Sequence, residues 1–503
     1  MATVPIRSAP LRPAPNRQPG DWPGVSRRDL LRRAALAAGT LALPLRLRAD
    51  GPGPVMTALS TYMASARDRA LPPAVIEKAS FHVLDTVAAM VSGSELVPGQ
   101  AALAFARAEP GRPVATVVGS TLLTGPMEAA LVNGVLAHSD ETDDSHGPSQ
   151  SHPGAAVVPA ALALSEAIGI SGHQFLRAVV LGYDVGTRTT MALGGAAFRE
   201  KSRRSTHAIA GTFGAAAAAG CVAGLTAPQM RWLLDYASQQ AGGYAVWGRD
   251  TDHIEKGFVF GGMPARNGVT AALLVRAGWN GVDDVFSGDD NFLHVHAPDA
   301  DPARLADALG GRFEVVNTDI KKWSVGTPIQ APLDAIENLR RQRPFAADDV
   351  QSVVVRLAPA VGAVVDNREM PDVCLQHMVA VMLLDRTASF KAAHDKARMQ
   401  DAAVLRQRAK VTYTPDPSLA ALLPARVAVV EVVLSDRTRL SDRVEAVRGT
   451  VRNPMSRDEL VAKATDLMAP VLGEAPTRAL IARLLTVDGL DDVRALRPML
   501  QRP

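Results

Sequence analysis

Between His138 and Gly154 the chain reads HSDETDDSHGPSQSHPG, 17 residues holding three histidines (His138, His146, His152), four acids (Asp140, Glu141, Asp143, Asp144) and Ser145. Imidazole titrates close to neutrality, and a carboxylate beside it fixes its tautomer and raises its pKa, so this density of groups suits proton transfer. The same residues offer ligands to a divalent cation that would activate water. Their spacing matches no closed ligand set. A solvated acidic loop is the simplest structural alternative. Apolar helix-like runs flank the segment, MEAALVNGVLA before it and AAVVPAALALSEAIG after it. A charged loop held between buried helices is where perturbed pKa values and acid/base work are expected.

The elements that must hold this loop are mostly helical. Hydrophobic residues make up 47% of the 503 but aromatics only 4%, and the abundant alanine favours closely packed helices over a β-sandwich. Helical periodicity predicts helices near 55–66, 74–91, 99–108, 126–137, 155–168, 172–191, 208–223 and 227–241. A short β-like piece at 114–119 interrupts them. A loop rich in glycine and charge then runs to Met263, before a helix at 264–278. Beyond residue 310, β-branched runs at 350–357, 409–414 and 425–434 read as strands, with helices at 328–341 and 373–385 between them. Helical patterns return at 456–472, 476–485 and 491–500. The fold class expected is mainly α: a large helical domain from 50–310 and 441–503, with a smaller α/β lid domain inserted at 311–440. Cys221 and Cys374 are expected as buried thiols and by themselves form no metal framework.

The net charge of +3 conceals an asymmetry. Residues 1–49 carry nine arginines against two aspartates, a net of +7, which leaves −4 for the remainder. A mildly acidic body without a basic stripe argues against nucleic acid as partner. The leader places Arg27-Arg28 before Leu30-Leu31 and a weakly apolar stretch too short to span a bilayer comfortably. It resembles a twin-arginine export signal, which predicts passage through the twin-arginine translocase, a periplasmic location and no stable membrane association.

Four segments in order carry a wider resemblance. They are the run from Gly134 to Tyr183, THAIAGTFGAAAAAG from Thr206, IEKGFVFGGMPARNGVTAALLVRAGWNG from Ile254, and IKKWSVGTPIQAPLDAI from Ile320. Together they resemble the MmgE/PrpD family, whose members include 2-methylcitrate dehydratase, cis-aconitate decarboxylase and iminodisuccinate epimerase. The resemblance implies a homodimer acting on a small polycarboxylate with no cofactor and no metal. It places His152, in the HPG turn, at the family's acid/base histidine and His207 at a second active-site histidine. Lys256 and Lys321 fall on its two active-site lysines. Glu141, Asp143, Asp144 and Ser145 fall on its acidic run, which implies catalytic roles for Glu141 and Asp144 and substrate contacts for Asp143 and Ser145. Glu141 stands where aspartate is usual and Ser145 where threonine is usual. The stretch after Lys256, GFVFGG, lacks the cations often found there, which implies fewer carboxylates recognised. Arg266, at a helix start, and Lys322, beside Lys321, are further candidates for holding a carboxylate.

The reactions of such a family share one demanding step, the making or quenching of negative charge on carbon beside a carboxylate. That step needs a positioned proton donor or acceptor and fixed positive charge where the oxygens accumulate electrons. The function expected is therefore a cofactor-independent lyase, by dehydration or decarboxylation. An epimerase or isomerase uses the same proton chemistry without elimination. A periplasmic dicarboxylate-binding protein would use the same lysines without turnover.

Overall fold

The structure, a computed structural model, describes residues 51–502. The export signal expected over residues 1–49 lies outside them. Proline opens many of the helices: Pro54–Ser65, Pro73–Gly93, Pro126–Ala137 and Pro153–Ile168 all carry it in their first turn. There its missing N–H costs nothing and its fixed φ is already helical. The central helix, Thr206–Ala223, is buried along nearly its whole length. It packs against Pro153–Ile168, Gly172–Ala192 and Met263–Arg276. Its run of alanines lets these neighbours approach from all sides. Thr206–Ala223 and the helical stretch Ile254–Arg276 are long and apolar enough to cross a membrane, but both lie largely buried among other helices.

The protein is mainly α with a small sheet region, as its composition predicts. Two large cores divide it. The first runs from Met56 to Ile320 and takes in the C-terminal segment from Leu460 to Leu500. The second runs from Trp323 to Val447. A two-stranded antiparallel ribbon pairs β1, Ala115–Thr116, with β2, Leu123–Thr124. The second core surrounds a four-stranded sheet of β3, Val350–Leu357, β4, Val411–Pro415, β5, Ala428–Leu434, and β6, Arg439–Val444, in the order β4-β3-β5-β6. β3 pairs parallel with β4 and antiparallel with β5, which pairs antiparallel with β6. Alternate β5 residues Ala428, Val430, Val432 and Leu434 are buried, and helices Thr327–Gln342 and Leu375–Asp385 pack on the sheet.

Three expectations need correction. The glycine- and charge-rich loop to Met263 is helical from Ile254, passing through a π-helical turn at Phe258–Gly262 into Met263–Arg276. β6 went unrecognised because RLSDRV buries only Val444 and presents charge on an edge. The helix expected over 491–500 is a 3-10 turn, Val493–Leu496, followed by one turn of α-helix, Arg497–Leu500. Cys221 and Cys374 are both free and buried.

One long-range contact bears directly on the acidic loop. Helix Arg457–Leu472 starts with a capping box between Ser456 and Glu459 and packs on Pro73–Gly93. From it the buried Lys463 Nζ reaches Asp85 Oδ1 at 2.5 Å and the Thr142 carbonyl at 3.0 Å. Burial pushes the Asp85 carboxyl up, against the pull of Lys463, so a proton can partly replace the lost cation. Lys463→Met is therefore expected to cost about 2–3 kcal/mol of stability at neutral pH. Urea denaturation of the two proteins measures it.

Candidate active site

Asp144 anchors the loop and faces away from its chemistry. One carboxylate oxygen accepts from His82 Nδ1 at 2.8 Å and from the Tyr183 hydroxyl at 2.5 Å. The other accepts from the Gly154 backbone N–H at 3.0 Å, which satisfies a free donor in the first turn of helix Pro153–Ile168. A Cβ on Gly154 would lie within 3 Å of Thr86 Oγ1, the Tyr183 hydroxyl and Asp144 Oδ2, so glycine is required there. Asp144, expected among the catalytic groups, is thus fully enclosed by residues that position the HPG turn.

The turn presents His152 at the head of that helix. His152 Nδ1 lies 2.6 Å from the Asp144 carbonyl oxygen and 3.2 Å from Asp143 Oδ1. A carbonyl only accepts, so Nδ1 carries the proton and Nε2 is the nitrogen left to exchange one with a ligand. Asp143 Oδ2 holds His138 Nδ1 at 2.8 Å. Lys321 Nζ donates to the Glu141 carbonyl at 2.7 Å and lies 3.5 Å from Asp143 Oδ1 and 3.8 Å from Glu141 Oε2. Lys256 Nζ pairs with Glu141 Oε1. His207 stacks on Phe260 with ring centroids 3.7 Å apart, and its ring lies 5.1 Å from that of His152. His152, His207, Lys256, Lys321, Glu141 and Asp143 therefore form one cluster.

The π turn is what brings Lys256, Phe260 and helix Pro126–Ala137 together. Gly134 and Gly261 meet backbone to backbone: a Cβ on Gly261 would come within 2.0 Å of the Gly134 carbonyl oxygen. A π-helical turn of this kind often marks a functional site.

Charge in the cluster is balanced by pairing. Burial works against ionising Glu141, but Lys256 and Lys321 outweigh it and hold the carboxyl well below its usual range. Burial is likewise outweighed at Asp143, by His138, His152 and Lys321. Burial pushes the His138, His207 and His253 imidazoles down, so all three are neutral at pH 7. The acidic cluster was expected to raise the histidines. At these three positions desolvation wins, because the rings are enclosed while the carboxylates already have cationic partners.

A second charged group joins the two cores. His394, in the short helix Phe390–His394, places Nε2 3.1 Å from Asp140 Oδ2. Burial opposes charge on His394, yet the Asp140 carboxylate carries its pKa up to about 9. Asp372, buried close by, is pushed up to about 6 by burial. A histidine raised in the folded state contributes stability that is complete below its unfolded pKa and lost as pH rises through the folded value. The stability advantage of the natural protein over His394→Gln is therefore expected to be on the order of 2–3 kcal/mol at pH 6. It should vanish as pH passes about 9. Denaturation midpoints across that range check the sign.

Comparison with known proteins decides the family. The MmgE/PrpD N-terminal domain matches residues 57–305, and the MmgE/PrpD C-terminal domain matches residues 323–487. The chain belongs to the MmgE/PrpD family. A cis-aconitate decarboxylase-like protein of Aspergillus oryzae is 29% identical over 321 residues, covering 60% of this chain and 65% of that protein. The cis-aconitate decarboxylase of Mus musculus is 27% identical, over 75% of this chain and 79% of its own length. That of Homo sapiens is 26% identical, over 85% and 91%.

Within this MmgE/PrpD protein, other candidates lie apart from the cluster. Arg266 is exposed on helix Met263–Arg276, its nearest hydrogen-bond partner being Asn267 Oδ1 at 3.4 Å. It neither reaches the acidic loop nor faces the histidines. Lys322 turns to Glu337 at 2.7 Å and lies over the Trp323 ring, so it belongs to the sheet region's surface. Ser145 forms a backbone bridge with Asp319 and is half-buried at the junction between the cores. His146 is held by Ser149 and faces Glu314.

The cluster also contains residues that sequence reading missed. His253 adopts a left-handed backbone at φ +63° and brings Nε2 to 3.9 Å from Glu141 Oε1. Phe260 forms the floor under His207. His394 and Asp372 come from the segment between β3 and β4. The ligand atoms of His138, Asp143 and His152 lie within 4.8 Å of one another, as do those of His138, Glu141 and His253. Lys256 and Lys321 contact the same carboxylates, and their charge opposes a dication there.

Proposed function

We propose that this protein is a lyase acting on a small polycarboxylate by dehydration or decarboxylation, through negative charge developed on carbon beside a carboxylate. The observation that carries this reading is His152. Its Nδ1 is committed to the Asp144 carbonyl, and its Nε2 is left free beside His207, close to two lysines. In its imidazolium form His152 carries a second proton on Nε2, delivers it to departing hydroxide or to the carbon left by loss of carbon dioxide, and is left as the neutral Nδ1–H tautomer. Lys256 and Lys321 supply positive charge for the substrate carboxylates and the enolate-like oxygens. Glu141 pairs with Lys256 until a substrate carboxylate takes its place. The relatives named as cis-aconitate decarboxylases support the class of chemistry. No organic cofactor or metal is required by these steps. We further propose that the chain works in the periplasm as a homodimer, exported through the Arg27-Arg28 leader.

Proton NMR in heavy water tests the reaction, with 2-methylcitrate, citrate, cis-aconitate and an aspartate-derived imine as substrates. Loss of water or of carbon dioxide supports a lyase. Deuterium entering beside a carboxylate without net change would instead make the protein an epimerase. Silence across the panel would overturn the reading for these substrates.

A further inference from the structure

A cavity of about 400 Å³ opens at the junction of the two cores, against Ser145 and Lys321. Lys321 joins it to the catalytic cluster, because the Nζ of the same side chain lies 3.5 Å from Asp143. The volume falls in the range of small-molecule sites. The walls are chiefly aliphatic, from Ile320, Leu422, Pro424, Ala425 and Val447. One cation stands among them without an anion. Arg426 is half-buried at the end of the loop leading into β5, and among the described residues its guanidinium has no hydrogen-bond or ion-pair partner. The other charges of the lining are accounted for or open to solvent. Arg448 pairs with Glu459, Glu445 with Arg443, and Asp319 accepts the Val451 N–H, while Arg452 is exposed. Burial and the neighbouring Arg199 both weigh against the charge on Arg426. A half-buried guanidinium beside another and without a carboxylate is a cost that an anionic ligand removes.

We infer that this cavity is a second substrate subsite, taking an aliphatic arm of the substrate with a distal carboxylate held by Arg426. The inference rests on the polycarboxylate reading above and deepens it. The substrate class becomes a polycarboxylate whose reacting end meets Lys321 and His152 and whose aliphatic arm runs away from them toward Arg426. A polycarboxylate with no such arm fills only the reacting end. The aliphatic walls would contribute about fourfold in affinity for each methylene they cover.

A straight-chain monocarboxylate series, butanoate, hexanoate and octanoate, tests the subsite alone, because none of these molecules can undergo the proposed reaction. Calorimetric titration of the full protein should show saturable binding that tightens along the series. Arg426→Gln should weaken octanoate at least about tenfold. Ala425→Trp, a half-buried position on the wall, should remove binding by filling the space. Both variants should melt as the natural protein does. Where a polycarboxylate is turned over, octanoate should raise its KM. Absence of saturable binding overturns the inference, as does binding indifferent to both substitutions or without effect on KM. Turnover of the panel without octanoate binding leaves the lyase reading standing while the subsite falls. Octanoate binding with a silent panel points instead to substrates bearing the arm, and a panel of alkyl-extended tricarboxylates that is also silent overturns both.

Discussion

His152→Ala is expected to abolish measurable turnover, with kcat falling by about 10²–10⁴-fold or more, while the protein melts as before. The two halves of this expectation come from separate features. The imidazole's inner nitrogen is locked to a carbonyl and its outer nitrogen is open to a ligand. The neighbouring His138 also has a held Nδ1 and an unpartnered Nε2, but its ring is fully enclosed, so it cannot take over the proton. His207 cannot, since burial pushes its pKa well down and its ring is stacked on Phe260. The fold leans on the ring only through the Asp144 carbonyl and Asp143, and Asp143 keeps His138 and Lys321 when the ring is gone. The HPG turn is held by Asp144 through His82, Tyr183 and the Gly154 N–H, none of which the substitution touches. Steady-state kinetics and a thermal melt on one preparation measure both halves. A folded His152→Ala protein with undiminished turnover would remove the central assignment.

Lys321→Met is expected to be the most destabilising single change at the site, at about 3–5 kcal/mol near neutral pH. Lys321 is 4% exposed. It is the cation that lies near both Glu141 and Asp143, and its removal leaves two buried carboxylates short of a partner. Both carboxyls are held below their usual range in the folded protein. Their contribution is therefore present above the unfolded pKa values near 4 and is lost as pH falls through the lower folded ones. In the variant both folded pKa values rise, so protonation can relieve the unpaired charge. The deficit should shrink as pH falls from about 7 to about 5, a direction that lost packing alone would not produce. Denaturant titrations at those two pH values separate the causes.

Much of the helical frame was legible because the chain punctuates it with proline and glycine. Pro126 and Pro153 mark starts that periodicity alone would blur, and the alanine run after Thr206 announces a helix crowded on all sides. His152, Lys256 and Lys321 were legible as members of ordered motifs, and the structure brings their side chains together. Arg266 was read as a ligand for anions from its place at a helix start. Nothing local in ARNG tells which side of the helix faces solvent, and the arginine is on the outside. His253 and His394 were illegible for another reason. Each is a single histidine in an unremarkable stretch, 112 and 254 residues beyond the loop they meet. The fold of the first core alone brings His253 to the loop, and the path of the chain through the second core brings His394. Glu141 shows a finer limit: the sequence reveals the extra methylene, but its consequence, contact with both lysines from one carboxylate, needs three separated segments in place.

The pairing of Lys463 with Asp85 across 378 residues has a consequence for how the molecule is made. During synthesis Asp85 emerges long before its partner, by roughly tens of seconds at ordinary ribosomal rates. Through that interval the alanine-rich helices have no C-terminal segment to cover them, since Leu460, Leu467, Leu480 and Leu484 belong to the same core. The second core, which lies wholly between Trp323 and Val447, can close earlier than the one that precedes it. Loss of residues 460–503 through a premature stop would therefore cost more than a tail. It would leave a nascent chain whose larger half never finishes folding, a substrate for chaperones and proteases.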